Sequence, residues 1–101
     1  VMLYPMPFVD TITPVPKPWR GRIEPANATD AASWFTKTNG YNAFIMHYAN
    51  LLSGKVDAFV IGSELIGMTG FTDSPGSYPA VSQLISLAAS VKAAMPGTLI
   101  T

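Results

Sequence analysis

Asp57-Ala58-Phe59-Val60-Ile61-Gly62-Ser63-Glu64-Leu65 is the stretch whose reading decides the fold of this chain. From Ala58 to Ile61 it is a continuous apolar run with no polar alternation. Such a run fits a strand covered on both faces, as in a parallel sheet packed under helices. Ile61 is expected to form the inner wall of a closed ring of parallel strands. Glu64, three positions later, is then expected to face a shared pocket at the strand end.

Working outward toward the N-terminus, Phe44, Ile45, Tyr48, Leu51 and Leu52 recur at helical spacing from Tyr41, and Gly54 ends that helix. Asn39-Gly40 marks a turn or kink before it. Asn27 or Thr29 is placed to cap a helix beginning near Asp30, with Trp34 and Phe35 on its inner side. Prolines 7, 14, 16, 18 and 25 make the preceding stretch an irregular loop, because proline fixes φ and lacks a donor. Loops of that length inside compact domains tend to be functional. Toward the C-terminus, Gly67, Gly70, Pro75 and Gly76 mark a second long loop. Pro79 then opens an amphipathic helix carrying Val81, Leu84, Ile85, Leu87, Ala88 and Val91, and Pro96-Gly97 stops it.

The expected organisation is a strand over 1–5, a loop over 6–28, helical structure over 29–53, a strand over 57–62, a loop over 63–78, a helix over 79–95 and a strand start over 98–101. This alternation predicts an α/β fold, part of a (β/α)8 barrel, with parallel strands and helices on the outside. Both long loops follow a strand, whereas the links into strands are short. In such barrels the loops after strands build the active face.

Of the 101 residues, 49% are hydrophobic and 12% charged, against about a quarter charged in ordinary soluble chains. That deficit suits a fragment covered by the remainder of a barrel or parent chain, which is the first expected partner. A net charge of +0 gives no electrostatic reason to bind nucleic acid or anionic lipid. The absence of cysteine excludes disulfides, thiolate catalysis and cysteine metal sites. No apolar run approaches the roughly 20 residues of a membrane span, and the start lacks the pattern of a secretory leader. His47 is the single histidine and sits within a helix, where it reads as a surface or hydrogen-bonded residue. No metal and no cofactor are expected.

Glu64 leads the candidates for chemistry. A carboxyl group just past the most buried strand is placed to act as a general acid, or else to cap the turn or pair with an arginine. Ser63 is placed to donate to it or to a ligand hydroxyl. Trp19 offers a face for a sugar ring, and Arg20 a fork for a carboxylate or hydroxyl. The alternative is that Trp19 covers the barrel mouth while Arg20 ties its loop down through backbone carbonyls. Asp10 reads as a polar active-face residue or as a turn residue.

Pro18-Trp19-Arg20-Gly21-Arg22-Ile23 and Phe59-Val60-Ile61-Gly62-Ser63-Glu64-Leu65 resemble the TIM-barrel-like domain of gene transfer agent and phage-tail hub (baseplate) proteins. Phe44-Ile45-Met46-His47-Tyr48-Ala49 and Tyr78-Pro79-Ala80-Val81 extend the resemblance over nearly the whole chain. That domain is similar in turn to the retaining glycoside hydrolases with (β/α)8 barrels. The resemblance implies a segment from the third strand to the start of the fifth, with Glu64 matching the acid/base at the end of the fourth. The residue before it is often Asn in the hydrolases and is Ser63 here. Their nucleophile comes from the seventh strand, outside this chain. Retention needs two carboxyl groups about 5–5.5 Å apart, so the segment alone is expected to be inactive. The implied role is binding or hydrolysis of cell-surface or cell-wall glycan. Glycan and other tail or baseplate proteins would be its partners, in the bacterial cytoplasm during assembly or in a phage-tail-like particle. A non-catalytic structural or glycan-binding barrel module, or a truncated relic inactive on its own, are the alternatives.

Overall fold

The structure, a computed structural model, describes residues 1–9 and 19–101. Among these residues, three short strands, β1 (Met2–Leu3), β2 (Ala58–Phe59) and β3 (Leu99–Ile100), lie in the order β1-β2-β3. Both pairs are parallel, with Met2, Ala58 and Leu99 in one register row and Leu3, Phe59 and Ile100 in the next. The hydrogen-bond ladder runs past the strand ends, where Val60 N donates to Leu3 O and Ile61 N to Thr101 O. Strands consecutive in sequence are neighbours in space. The sheet therefore winds in one direction, without the reversal of strand order of a doubly wound sheet.

Among the described residues, four α-helices connect and cover the strands. Helix α1 (Ala28–Thr36) starts at Asn27, whose side chain accepts from Asp30 N at 2.8 Å. Helix α2 (Tyr41–Leu52) follows after a break. The helical region expected over 29–53 is thus two helices, and the Asn39-Gly40 signal is the reason. Asn39 takes a left-handed φ of 57°. A side chain on Gly40 would sit 2.8 Å from Lys37 O and 2.9 Å from Trp34 O, so only glycine lets the chain turn this tightly. A short helix α3 (Ile66–Thr69) lies inside the stretch expected to be a loop, and α4 (Pro79–Ala94) opens on its proline. A 3-10 turn, Arg20–Arg22, lies in the first long loop.

One core joins these elements. Phe35 and Ala31 of α1, Ile45 and Ala49 of α2, Met68 of α3, and Leu87 and Val91 of α4 are buried together with Phe59 of β2. Leu3, Ile61 and Ile100 pack against the same core. Here the expectation for Ile61 is corrected. Side chains alternate along a strand, so Ile61 shares the helix-side face with Phe59 and does not form an inner wall. The opposite row belongs to Met2, Ala58 and Leu99. Met2 and Leu99 are 62% and 65% exposed while Ala58 between them is buried, so this sheet face is apolar and uncovered on its two outer strands. Among the described residues, no helix is long and apolar enough to cross a membrane.

Candidate functional site

The strand β2 ends in a bend that brings the expected residues together. After Ile61, the main chain leaves the ladder through Gly62 and Ser63 and reaches Glu64, which has a φ of 55°. Left-handed backbone costs a residue with a side chain roughly 1–2 kcal/mol, and glycine or asparagine is its usual occupant. Glutamate has no local reason to stand there. Strain of this kind persists where the surroundings over-determine it, and it concentrates at functional sites.

The surroundings here are specific. Arg20 Nε donates to Ser63 O at 3.2 Å, and its terminal nitrogen donates to the Glu64 carboxylate. One guanidinium thus holds the carbonyl before Glu64 and the side chain of Glu64 itself. The arginine side chain is only 14% exposed while that of Glu64 is 55% exposed. The cation is the buried, fixed partner, and the carboxylate is reachable from solvent.

The loop that carries Arg20 is itself docked. The Trp19 ring lies directly against Gly21, leaving no room for a side chain there. On the other side, a side chain on Gly67 of α3 would sit 2.8 Å from both Gly21 O and Ile23 O. Gly67 therefore lets the Arg20–Arg22 turn settle onto α3, while Gly21 makes room for the Trp19 ring. Thr69 steadies α3 by donating from Oγ1 to Leu65 O at 3.0 Å.

A third support comes from Tyr41 at the start of α2. Its hydroxyl donates to Ile61 O at 2.9 Å. The ring is buried, stacked on Trp34 at 4.5 Å and 18°. Burial pushes the Tyr41 phenol up from 10.0 to about 12, partly offset by the Arg20 guanidinium. The folded state therefore holds this proton more tightly than the unfolded chain. Its contribution to stability is whole below pH 10.0 and is lost as pH rises through about 12. A phenolate absorbance titration of the intact protein should contain one late-ionising tyrosine that is missing from the Tyr41→Phe variant.

A cavity of about 280 Å³ opens beside the bend, lined by Ile61, Ser63, Glu64, Ile66, Thr69 and Leu84 among others. Glu64 is the one acid in its lining. Its walls are mostly apolar with a few convergent polar groups, the usual make-up of a small-ligand site.

The structure thus brings Glu64, Ser63 and Arg20 into one cluster, with Trp19 at its edge, half-exposed and packed on Gly21. Asp10 lies outside the described residues. Arg20 ties its loop to a backbone carbonyl and pairs with Glu64, which are the two structural roles weighed for these residues. Tyr41, Gly21 and Gly67 were not legible as site residues. Tyr41 directly follows Asn39-Gly40, but nothing in that motif signals a strut for a strand end. Among the described residues, no three metal-ligating side chains gather.

A family model, the GTA TIM-barrel-like domain, matches residues 39–101. The match covers α2 to β3, including Tyr41 and Glu64, while Trp19 and Arg20 precede it. No curated protein and no solved structure matches the chain.

Proposed function

The chain belongs to the GTA TIM-barrel-like domain family, and on that premise we propose that it supplies adjacent strand–helix units of a glycan-handling barrel in a phage-tail-like or gene-transfer-agent hub. In this reading β1, β2 and β3 are the third, fourth and fifth strands. The row of Met2, Ala58 and Leu99, exposed at its two ends, turns toward the barrel interior, where further strands of the parent chain would cover it. Residues from the loops after β1 and β2 then line the mouth, where barrel chemistry is done. The protein acts at a bacterial cell surface as part of a tail-like particle, after assembly in the bacterial cytoplasm.

The single observation that carries this reading is Glu64 in left-handed backbone, clamped by Arg20 at the end of the central strand. A strained, cation-paired and solvent-reachable carboxylate at that rim is the group a sugar hydroxyl or glycosidic oxygen would meet. As a general acid/base it needs a second carboxyl group about 5–5.5 Å away for a retaining reaction. Glu64 is the sole acid lining its cavity, so the partner would come from a later strand of the barrel, and these residues alone would not turn over substrate.

A second reading has an observation of its own. Arg20 already engages the Glu64 carboxylate, which suits a barrel that binds glycan through the pair without cleaving it. Incubating the intact protein with bacterial cell-wall glycan separates the two. Under the hydrolytic reading, Glu64→Gln lowers bond cleavage by about 100-fold or more. Under the binding reading, no cleavage occurs and Glu64→Gln weakens glycan retention. Equal behaviour of variant and parent in both measurements would remove Glu64 from the function altogether.

A further inference from the structure

We infer that Tyr41 is the positioning residue that sets the bend carrying Glu64, acting with Arg20 as the second of two struts on that bend. The inference rests on the reading of Glu64 as the functional carboxylate.

Two carbonyls of the bend, Ile61 O and Ser63 O, are held by side chains. Each is taken by a side chain from a different part of the fold: Ile61 O by the Tyr41 hydroxyl at 2.9 Å and Ser63 O by Arg20 Nε at 3.2 Å. Ile61 N donates to Thr101 O beside β3. The Tyr41 hydroxyl therefore holds the other main-chain polar group of the same residue, at the point where the chain turns out of the sheet. Gly62 sits between the two struts, and a side chain placed on it would lie 3.6 Å from the Tyr41 hydroxyl.

Tyr41 is suited to be a rigid post. It is buried, stacked on Trp34, and meets the edge of Phe35 at 5.7 Å and 89°. An aromatic ring with two packed neighbours has little freedom to follow the carbonyl if the carbonyl moves. The left-handed φ at Glu64 needs such a hold, because the turn itself does not favour it. Tyr41 touches the bend and not the cavity-facing carboxylate, so its role is exerted through the backbone of Ile61–Glu64.

The test is arginine side-chain NMR on the intact protein, with the Arg20 signal identified by Arg20→Lys. In the parent, Arg20 Nε–H is held by Ser63 O and should exchange slowly with solvent. Tyr41→Phe keeps the ring and its stacking but removes the donor. Exchange at Arg20 Nε–H is expected to accelerate by about tenfold, as for a hydrogen bond weakened by roughly one decade in its equilibrium. Ile45→Val, a core change in the same helix, is the control and should leave the Arg20 signal unmoved. An unchanged Arg20 signal in Tyr41→Phe, or an equal change in Ile45→Val, overturns the proposal. Should Tyr41→Phe fail to fold, Arg20→Met reads the coupling from the other end. Exchange of the Tyr41 hydroxyl proton with solvent should then accelerate, because the bend has lost its other strut, and unchanged exchange overturns the proposal as well. These readouts need no glycan. A silent Glu64→Gln in the glycan assay would end the functional reading and leave the two-strut geometry standing.

Discussion

Phe59→Ala is expected to cost the intact protein about 3–5 kcal/mol, the range for truncating a buried phenylalanine. Phe59 has no exposed surface and lies on the central strand. It is in register with Leu3 on one side and Ile100 on the other. The core from all four helices closes over it. Removing the ring takes apolar surface out of this contact and leaves a cavity that the flanking helices can fill only in part. For a domain of barrel size each kcal/mol moves the melting midpoint by about 2–4 °C, so a fall of about 10 °C is expected by circular dichroism. The site should suffer with the fold, because β2 is what delivers Ile61 and Glu64 to the rim. A midpoint within a degree or two of the parent would mean that Phe59 is not the centre of the core described here.

The stretch around Phe59 was also the most legible part of the sequence. A continuous apolar run between Asp57 and Gly62 reads as a buried strand, and it forms the central strand of a parallel sheet with helices on one face. The same continuity hid the orientation of Ile61. Without alternation, the run carries no mark of which face each residue takes, and only the packing of Ile61 with Phe59 on the helix side decides it. Local signals fared well where the cause is local. Asn27 caps α1, Gly54 takes a left-handed φ after α2, and Asn39-Gly40 breaks the helical region in two. Signals failed where the cause is distant. Gly67 and Gly70 suggest a loop, yet α3 forms there, because Gly67 is required by the backbone of residues 21 and 23 and not by a turn of its own. The site shows the same division. Glu64 stands out by its place after the strand. Its partner Arg20 is 44 positions away and its support Tyr41 lies in another helix, so the pairing emerges only from the fold.

Gly67→Ala should uncouple that site while leaving most of the core intact. Two effects oppose each other at this position. Alanine favours a helix over glycine by about 1 kcal/mol, and Gly67 lies within α3 with no left-handed φ to prevent the change. Against this, the added carbon would fall 2.8 Å from Gly21 O and from Ile23 O. Both are main-chain atoms of the docked turn, so neither can swing aside as a side-chain tip would. Overpacking of this kind costs about 1–3 kcal/mol, and the balance should be a modest net loss of stability. The larger consequence is geometric. The turn must back away from α3, and it carries Arg20 with it. The bond from Arg20 Nε to Ser63 O is already 3.2 Å long, and a retreat of about half an ångström takes it out of hydrogen-bonding range. Glu64 then loses the clamp that holds it in its left-handed conformation. Glycan retention by the intact protein should fall about as far as it does in Arg20→Met, although the alanine touches neither Arg20 nor Glu64. A Gly67→Ala protein that melts above its parent and holds glycan equally well would mean that the Arg20 turn does not rest on α3.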